Sequence, residues 1–205
     1  MPEFDAGSKQ PVKVYPTLGC CGLDCGLCPR YYTVGNSRCP GCCGLDFFNK
    51  HPSYSFVTCC VKRKNLEVCA ECNEFPCSKF EGWTGEDEDI YDSFLTHKKA
   101  IPNLLFIKEY GINEFIKQQK KRVELLEMMI GSFDDGRSRS YYCIAATLLP
   151  TTSLETLLNK AQRELRASNI SPEDIKIKAK VLRGLLDNLA AKEGIQLSLR
   201  KKRKD

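Results

Sequence analysis

Histidine and tryptophan are scarce in this chain, with two and one respectively among 205 residues. His51 and His97 stand apart in the sequence, so no histidine neighbours a nucleophile to activate it. Long apolar runs are missing too: none approaches the roughly 20 residues that span a bilayer. The first 18 residues carry Glu3, Asp5, two lysines and three prolines, without a signal-type apolar stretch. No Gly-rich phosphate loop, metalloprotease helix or nucleophile elbow occurs, and no complete catalytic site is visible. Charge of one sign is also in short supply. The formal net charge is +5, but the last six residues hold five basic side chains and one acidic, so the remaining body is nearly neutral. A broad nucleic-acid face is not implied. These absences point to a cytosolic protein without a membrane partner.

Cysteine is abundant: 13 residues, twelve of them between Cys20 and Cys77. In the reducing cytosol a disulfide framework is disfavoured, and clustered thiols there most often hold metal. Three Cys-x2-Cys pairs occur, at 25/28, 39/42 and 69/72. A two-residue turn lets both sulfurs face one ion while turn N–H groups bond the thiolates. Neighbouring side chains diverge, so each of the doublets 20/21, 42/43 and 59/60 is expected to give one ligand. The candidate ligands are then Cys21, Cys25, Cys28, Cys39, Cys42, Cys60, Cys69, Cys72 and Cys77. The simplest allocation places Cys25, Cys28, Cys39 and Cys42 on one zinc ion, and Cys60, Cys69, Cys72 and Cys77 on a second. Cys21 is left over, and interleaved pairings are equally legal.

Four thiolates leave a zinc site with net negative charge, which Arg30, Arg38, Lys62, Arg63, Lys64 and Lys79 are placed to offset. Such an ion is structural in energetic terms: apparent binding of roughly 10–16 kcal/mol would hold a segment too small to be stable on its own core. An iron–sulfur cluster is the alternative cofactor, since it also takes four cysteine thiolates. Cys21-x3-Cys25-x2-Cys28 has the spacing of radical S-adenosylmethionine enzymes. Their partial barrel of alternating strands and helices has no counterpart in the chain that follows.

Composition divides the chain into a flexible arm over 1–18, a Cys-rich metal-binding module over 19–83, a helical domain over 84–199 and a basic tail over 200–205. The fold class is mainly α, a small irregular module followed by a helical bundle. Ser93 to Tyr110 reads as a helix with a possible interruption at Pro102, stopped by Gly111. Asn113 can cap a second, with Ile112, Phe115, Ile116, Val123, Leu126 and Ile130 along one face. A turn at residues 133–136 precedes a buried helix over Tyr141 to Leu149. Thr152 with Glu155 has capping-box spacing for the next, and Ser171-Pro172 opens the last, which Gly194 ends. Residues 194–199 alternate like a short strand or an extended tail.

Cys21-Gly22-Leu23-Asp24-Cys25-Gly26-Leu27-Cys28-Pro29, followed by Cys39-Pro40-Gly41-Cys42, resembles the opening of the domain of unknown function 3795 family. These are uncharacterised cysteine-rich proteins of anaerobic bacteria and archaea. The resemblance continues through Cys60 and Cys69-Ala70-Glu71-Cys72-Asn73-Glu74-Phe75-Pro76-Cys77. It extends to Thr96-His97-Lys98-Lys99, Asn103-Leu104 and Asp134-Asp135-Gly136-Arg137-Ser138, covering about residues 18–150. It implies zinc bound through the cysteines and no known activity. The short gap between Cys28 and Cys39 and the doubled cysteines depart from the pattern and leave ligand pairing open.

Three smaller readings remain. His51 can replace one ligand, whereas His97 reads as an exposed or capping residue. The stretch from Asp134 to Cys143, with Arg137 and Arg139, is either an anion pocket with a reactive thiol or a turn before a helix. The turn reading is favoured, with Cys143 packed as a small apolar residue. The leading functional expectation is a metal-binding interaction or scaffold module with a protein partner. A thiol or iron–sulfur redox protein of anaerobic metabolism is its rival, and nucleic-acid binding through the 200–204 tail is a weaker third.

Overall fold

The computed structural model describes residues 12–81, 83, 92–168, 170–171 and 173–200. The fold is mainly α, and no strand forms among those residues. Six α-helices run in chain order: α1 (Phe47–Lys50), α2 (Ala100–Tyr110), α3 (Ile112–Phe133), α4 (Arg139–Leu148), α5 (Thr151–Ala167) and α6 (Ile175–Lys192). The Cys-rich segment adds 3-10 turns at Cys25–Leu27, Cys69–Glu71 and Ser78–Phe80, and a π-helical turn at Val57–Arg63. The arm expected over 1–18 falls outside the described residues up to 11. Residues 12–18 pack into the body, with Lys13 and Leu18 buried.

The helix expected from Ser93 starts instead at Ala100, after bends and a 3-10 turn at His97–Lys99 in which Thr96 Oγ1 accepts the Lys98 N–H. Pro102 therefore lies in the first turn of α2, where its missing N–H costs nothing, and no interruption occurs. Gly111, at φ 88°, closes α2 and serves as N-cap of α3 in place of Asn113. Pro150 likewise takes the N-cap of α5, and the capping box of Thr152 and Glu155 does not form. Residues 195–200 form an extended tail, not a strand. Arg200 is tied back: its guanidinium meets Asp92 at 3.0 Å, and the two backbones exchange a further hydrogen bond at 3.0 Å.

Two hydrophobic cores share α3. The first joins the Cys-rich segment to Ile101, Leu104 and Ile107 of α2 and to Phe115 and Ile116 of α3. The second packs Leu125, Leu126, Met129 and Phe133 against α4, α5 and α6, and it takes in Leu27, fully buried, from the cysteine segment. Module and bundle are thus interlocked. A buried polar staple fixes the junction: Asn103 Nδ2 donates to Gly22 O and to Asp24 Oδ2, both at 2.9 Å. Gln119 Nε2 donates to Asp24 Oδ1 at 3.1 Å and to Thr17 O at 2.9 Å. Gly22 sits at φ +87°, and a Cβ there would stand 2.1 Å from Ala100 O, so only glycine lets α2 come this close.

Candidate metal centre

Two of the three Cys-x2-Cys pairs are built on the same local geometry. In the 3-10 turns at Cys25–Leu27 and Cys69–Glu71, the N–H of the second cysteine donates to the carbonyl of the first, at 3.2 Å for Cys28 and 3.0 Å for Cys72. Beyond the first turn, the Tyr31 N–H donates to Cys28 O at 2.9 Å. Glu71 holds the second turn, its carboxylate accepting from Glu67 N at 2.8 Å and Val68 N at 3.3 Å. The pair 39/42 is positioned by the 12–18 segment, where Pro16 O accepts the Cys42 N–H at 2.7 Å. Gly41, at φ +87°, allows that approach, since a Cβ would lie 2.3 Å from Pro16 O.

All thirteen cysteines are unpaired thiols. The nine predicted ligands sort onto two cavities. A pocket of about 20 Å³ is lined by Cys60, Cys69, Cys72 and Cys77, together with Cys59, Lys64, Glu74 and a ring of phenylalanines. That volume suits a single occupant of water or ion size, which needs about 10–15 Å³. A second cavity, of about 510 Å³, has Cys21, Cys25, Cys28, Cys39 and Cys42 in its wall. Cys21, unassigned by spacing, therefore lies with the N-terminal group.

Cys20, which the doublet argument set aside, connects the two groups. Its N–H donates to Cys42 Sγ at 3.4 Å, and its carbonyl accepts the Cys69 N–H at 2.8 Å. Cys42 is held well below the usual thiol range by the hydrogen bonds of Cys20 and Cys43, and Cys60 is brought down to about 4 by those of Cys20 and Cys69. The same bonds push Cys20, Cys43 and Cys69 upward. Burial raises Cys21 to about 11 and Cys25 further, each reinforced by Cys42.

Positive charge reaches the sulfurs from two lysines. Lys64 Nζ donates to Cys72 Sγ at 3.0 Å and pairs with Glu74 at 2.8 Å. Lys13, 5% exposed, donates to Leu18 O at 2.5 Å and stands 3.7 Å from Glu67. Burial works against its charge, yet Cys42, Glu67, Cys20 and Cys25 hold its pKa above the ordinary lysine value. Lys13 escaped the sequence reading because it lies in a stretch that composition marks as a loose arm. Of the other expected cations, Lys79 lines the smaller cavity and Arg30 the larger, where it also stands over Phe94, while Lys62 sits over Phe48 and Arg38 over Tyr31. Tyr54 was also missed. Its hydroxyl lies 3.9–4.0 Å from the sulfurs of Cys20, Cys21 and Cys42 at once.

Among the described residues, no three cysteine, histidine or carboxylate side chains stand in position to hold a metal ion without movement. The donor chemistry suits a thiophilic metal all the same: unpaired thiols in groups of four and five, with a buried ammonium beside them. Both histidines line the larger cavity, His51 against Phe47 and His97 stacked on Trp83, so His97 is not an exposed residue. The Asp134–Cys143 stretch is a turn and helix start. Arg139 pairs with Asp134 at 3.1 Å and donates to Tyr32 O, and Cys143 is buried, its thiol pushed up by that burial.

No helix among the described residues is long and apolar enough to cross a membrane. No family model matches the chain, and neither the curated proteins nor the solved structures contain a significant match to it.

Proposed function

We propose that this is a cytosolic metal-binding protein, akin to the domain of unknown function 3795 proteins, that carries two zinc ions. The smaller ion site takes Cys60, Cys69, Cys72 and Cys77; the larger draws its ligands from Cys21, Cys25, Cys28, Cys39 and Cys42. The observation that carries this reading is the distribution of the nine cysteines over two cavities, eight of them as in the simplest allocation and Cys21 beside the N-terminal four. Lys13 and Lys64 supply positive charge that a thiolate site needs at low dielectric. The bound metal makes the module rigid, and the interlocked helices present it to a protein partner. One observation favours an iron–sulfur centre as a second reading: the cavity holding Cys21, Cys25 and Cys28 is far larger than one ion requires.

Elemental analysis of the Cys72→Ser/Cys77→Ser double variant tests the assignment. The account expects zinc to fall from two ions per chain to one. Two retained ions, or none in the unaltered protein, would refute it.

A further inference from the structure

The larger cavity extends well past its cysteines. Its 510 Å³ falls within the roughly 300–1,000 Å³ typical of small-molecule sites. One ion, with a share of about 30 Å³ for a water-sized body, leaves most of it open. The remaining wall is aromatic, formed by Phe47, Tyr54, Phe56, Trp83 and Phe94. Trp83 and His97 stack face to face with nearly parallel rings, at 4.7 Å and 6°. The polar groups on the wall share a character. Arg30 stands 4.9 Å over the Phe94 ring, and no carboxylate lines the cavity among the described residues. Two buried ring nitrogens, His51 Nε2 and His97 Nδ1, have no hydrogen-bond partner among the described residues.

Orphaned buried nitrogens are costly unless something meets them. Flat aromatic rings, one guanidinium and no carboxylate among the described lining residues together describe a complement to a planar anion. We propose that this cavity is a binding site for a flat aromatic or heteroaromatic molecule bearing a carboxylate. Its ring packs against the aromatic wall beside the Trp83–His97 stack, and its anionic group is met by Arg30 and an imidazole N–H.

The sole tryptophan of the chain lines this cavity, so its emission reports on the site without labelling. The test uses the full chain, prepared anaerobically with its metal content measured, and titrates it calorimetrically with 2-naphthoate and with 2-naphthylmethanol. One naphthoate per chain should bind saturably and change Trp83 emission. The neutral alcohol should bind at least about tenfold more weakly, as loss of a charge-assisted contact implies. Arg30→Gln should remove most of that difference. Absence of saturable naphthoate binding, equal binding of the alcohol, or binding that leaves Trp83 silent would overturn the inference. If Arg30→Gln does not fold, the comparison of the two probes on the unaltered chain still decides. Metal-free protein that binds naphthoate would refute the two-zinc reading alone, whereas zinc-loaded protein that ignores it would refute this inference alone.

Discussion

Gly22→Ala examines how the cysteine segment is docked on the helices. Gly22 and Gly35 both have positive φ, +87° and +82°, so alanine at either meets backbone strain of about 1–2 kcal/mol. Their surroundings differ. Gly35 has nothing within 4 Å of a new Cβ, while at Gly22 that atom would lie 2.1 Å from Ala100 O and 2.7 Å from Leu104 Cγ. Ordinary contact begins near 3.4 Å, so α2 must retreat by roughly 1.3 Å. That shift adds overpacking of about 1–3 kcal/mol, and it pulls Asn103 off Gly22 O and Asp24, whose charge-assisted bond is worth about 1.5–3 kcal/mol. Gly22→Ala should therefore cost about 3.5–8 kcal/mol, against about 1–2 kcal/mol for Gly35→Ala. Urea unfolding, followed both by circular dichroism and by Trp83 emission, measures the difference. Equal destabilisation by the two substitutions would refute the docking described for Gly22.

Leu27→Ala removes a fully buried side chain that reaches from the cysteine turn into the bundle core, and a loss of about 2–5 kcal/mol is expected in denaturant unfolding. Lys13→Met keeps the volume but removes the buried ammonium near Cys42, Cys20 and Cys25; competition with a chromophoric chelator should record weaker zinc binding, while exposed Lys62→Met should not change it. Burial alone would raise Asp92, yet Arg200 and the His97 and Arg200 N–H groups hold its carboxyl below the ordinary value. Its contribution is complete above the unfolded value near 3.9 and is lost as pH falls through the folded one. Asp92→Asn should thus lower Tm at neutral pH and flatten its acid side, which a pH series of thermal melts would record. Strong chelation should disturb α2 along with the cysteine segment because both share one core, and hydrogen exchange should rise in Ala100–Tyr110 while α5 and α6 stay protected.

Much of the bundle was legible from apolar spacing, because Leu154, Leu157, Leu158, Ala161 and Leu165 on α5 and Leu182 and Leu186 on α6 repeat with the helical period and are buried. Helix starts were less legible. Asn113 and Thr152 have the chemistry of caps, but tight connections give those places to Gly111 and Pro150. Cysteine spacing divided eight thiols as the two cavities do but said nothing of Cys20, since the doublet rule counts side-chain directions and not what lies between two clusters. Lys13 and Tyr54 are set beside the sulfurs by contacts over long sequence separations, and neither belongs to a local motif. The staple of Asp24, Asn103 and Gln119 is similar: Asp24 and Asn103 stood out in the motif, but their meeting needs α2 and α3 in place.

Metal analysis by mass spectrometry of anaerobically purified, full-length protein, normalised to chain concentration, tests the central claim most directly. The account predicts two zinc ions per chain, held against dialysis and released by strong chelator. A protein that is folded and carries no metal, or a brown one whose metal is iron, would contradict it.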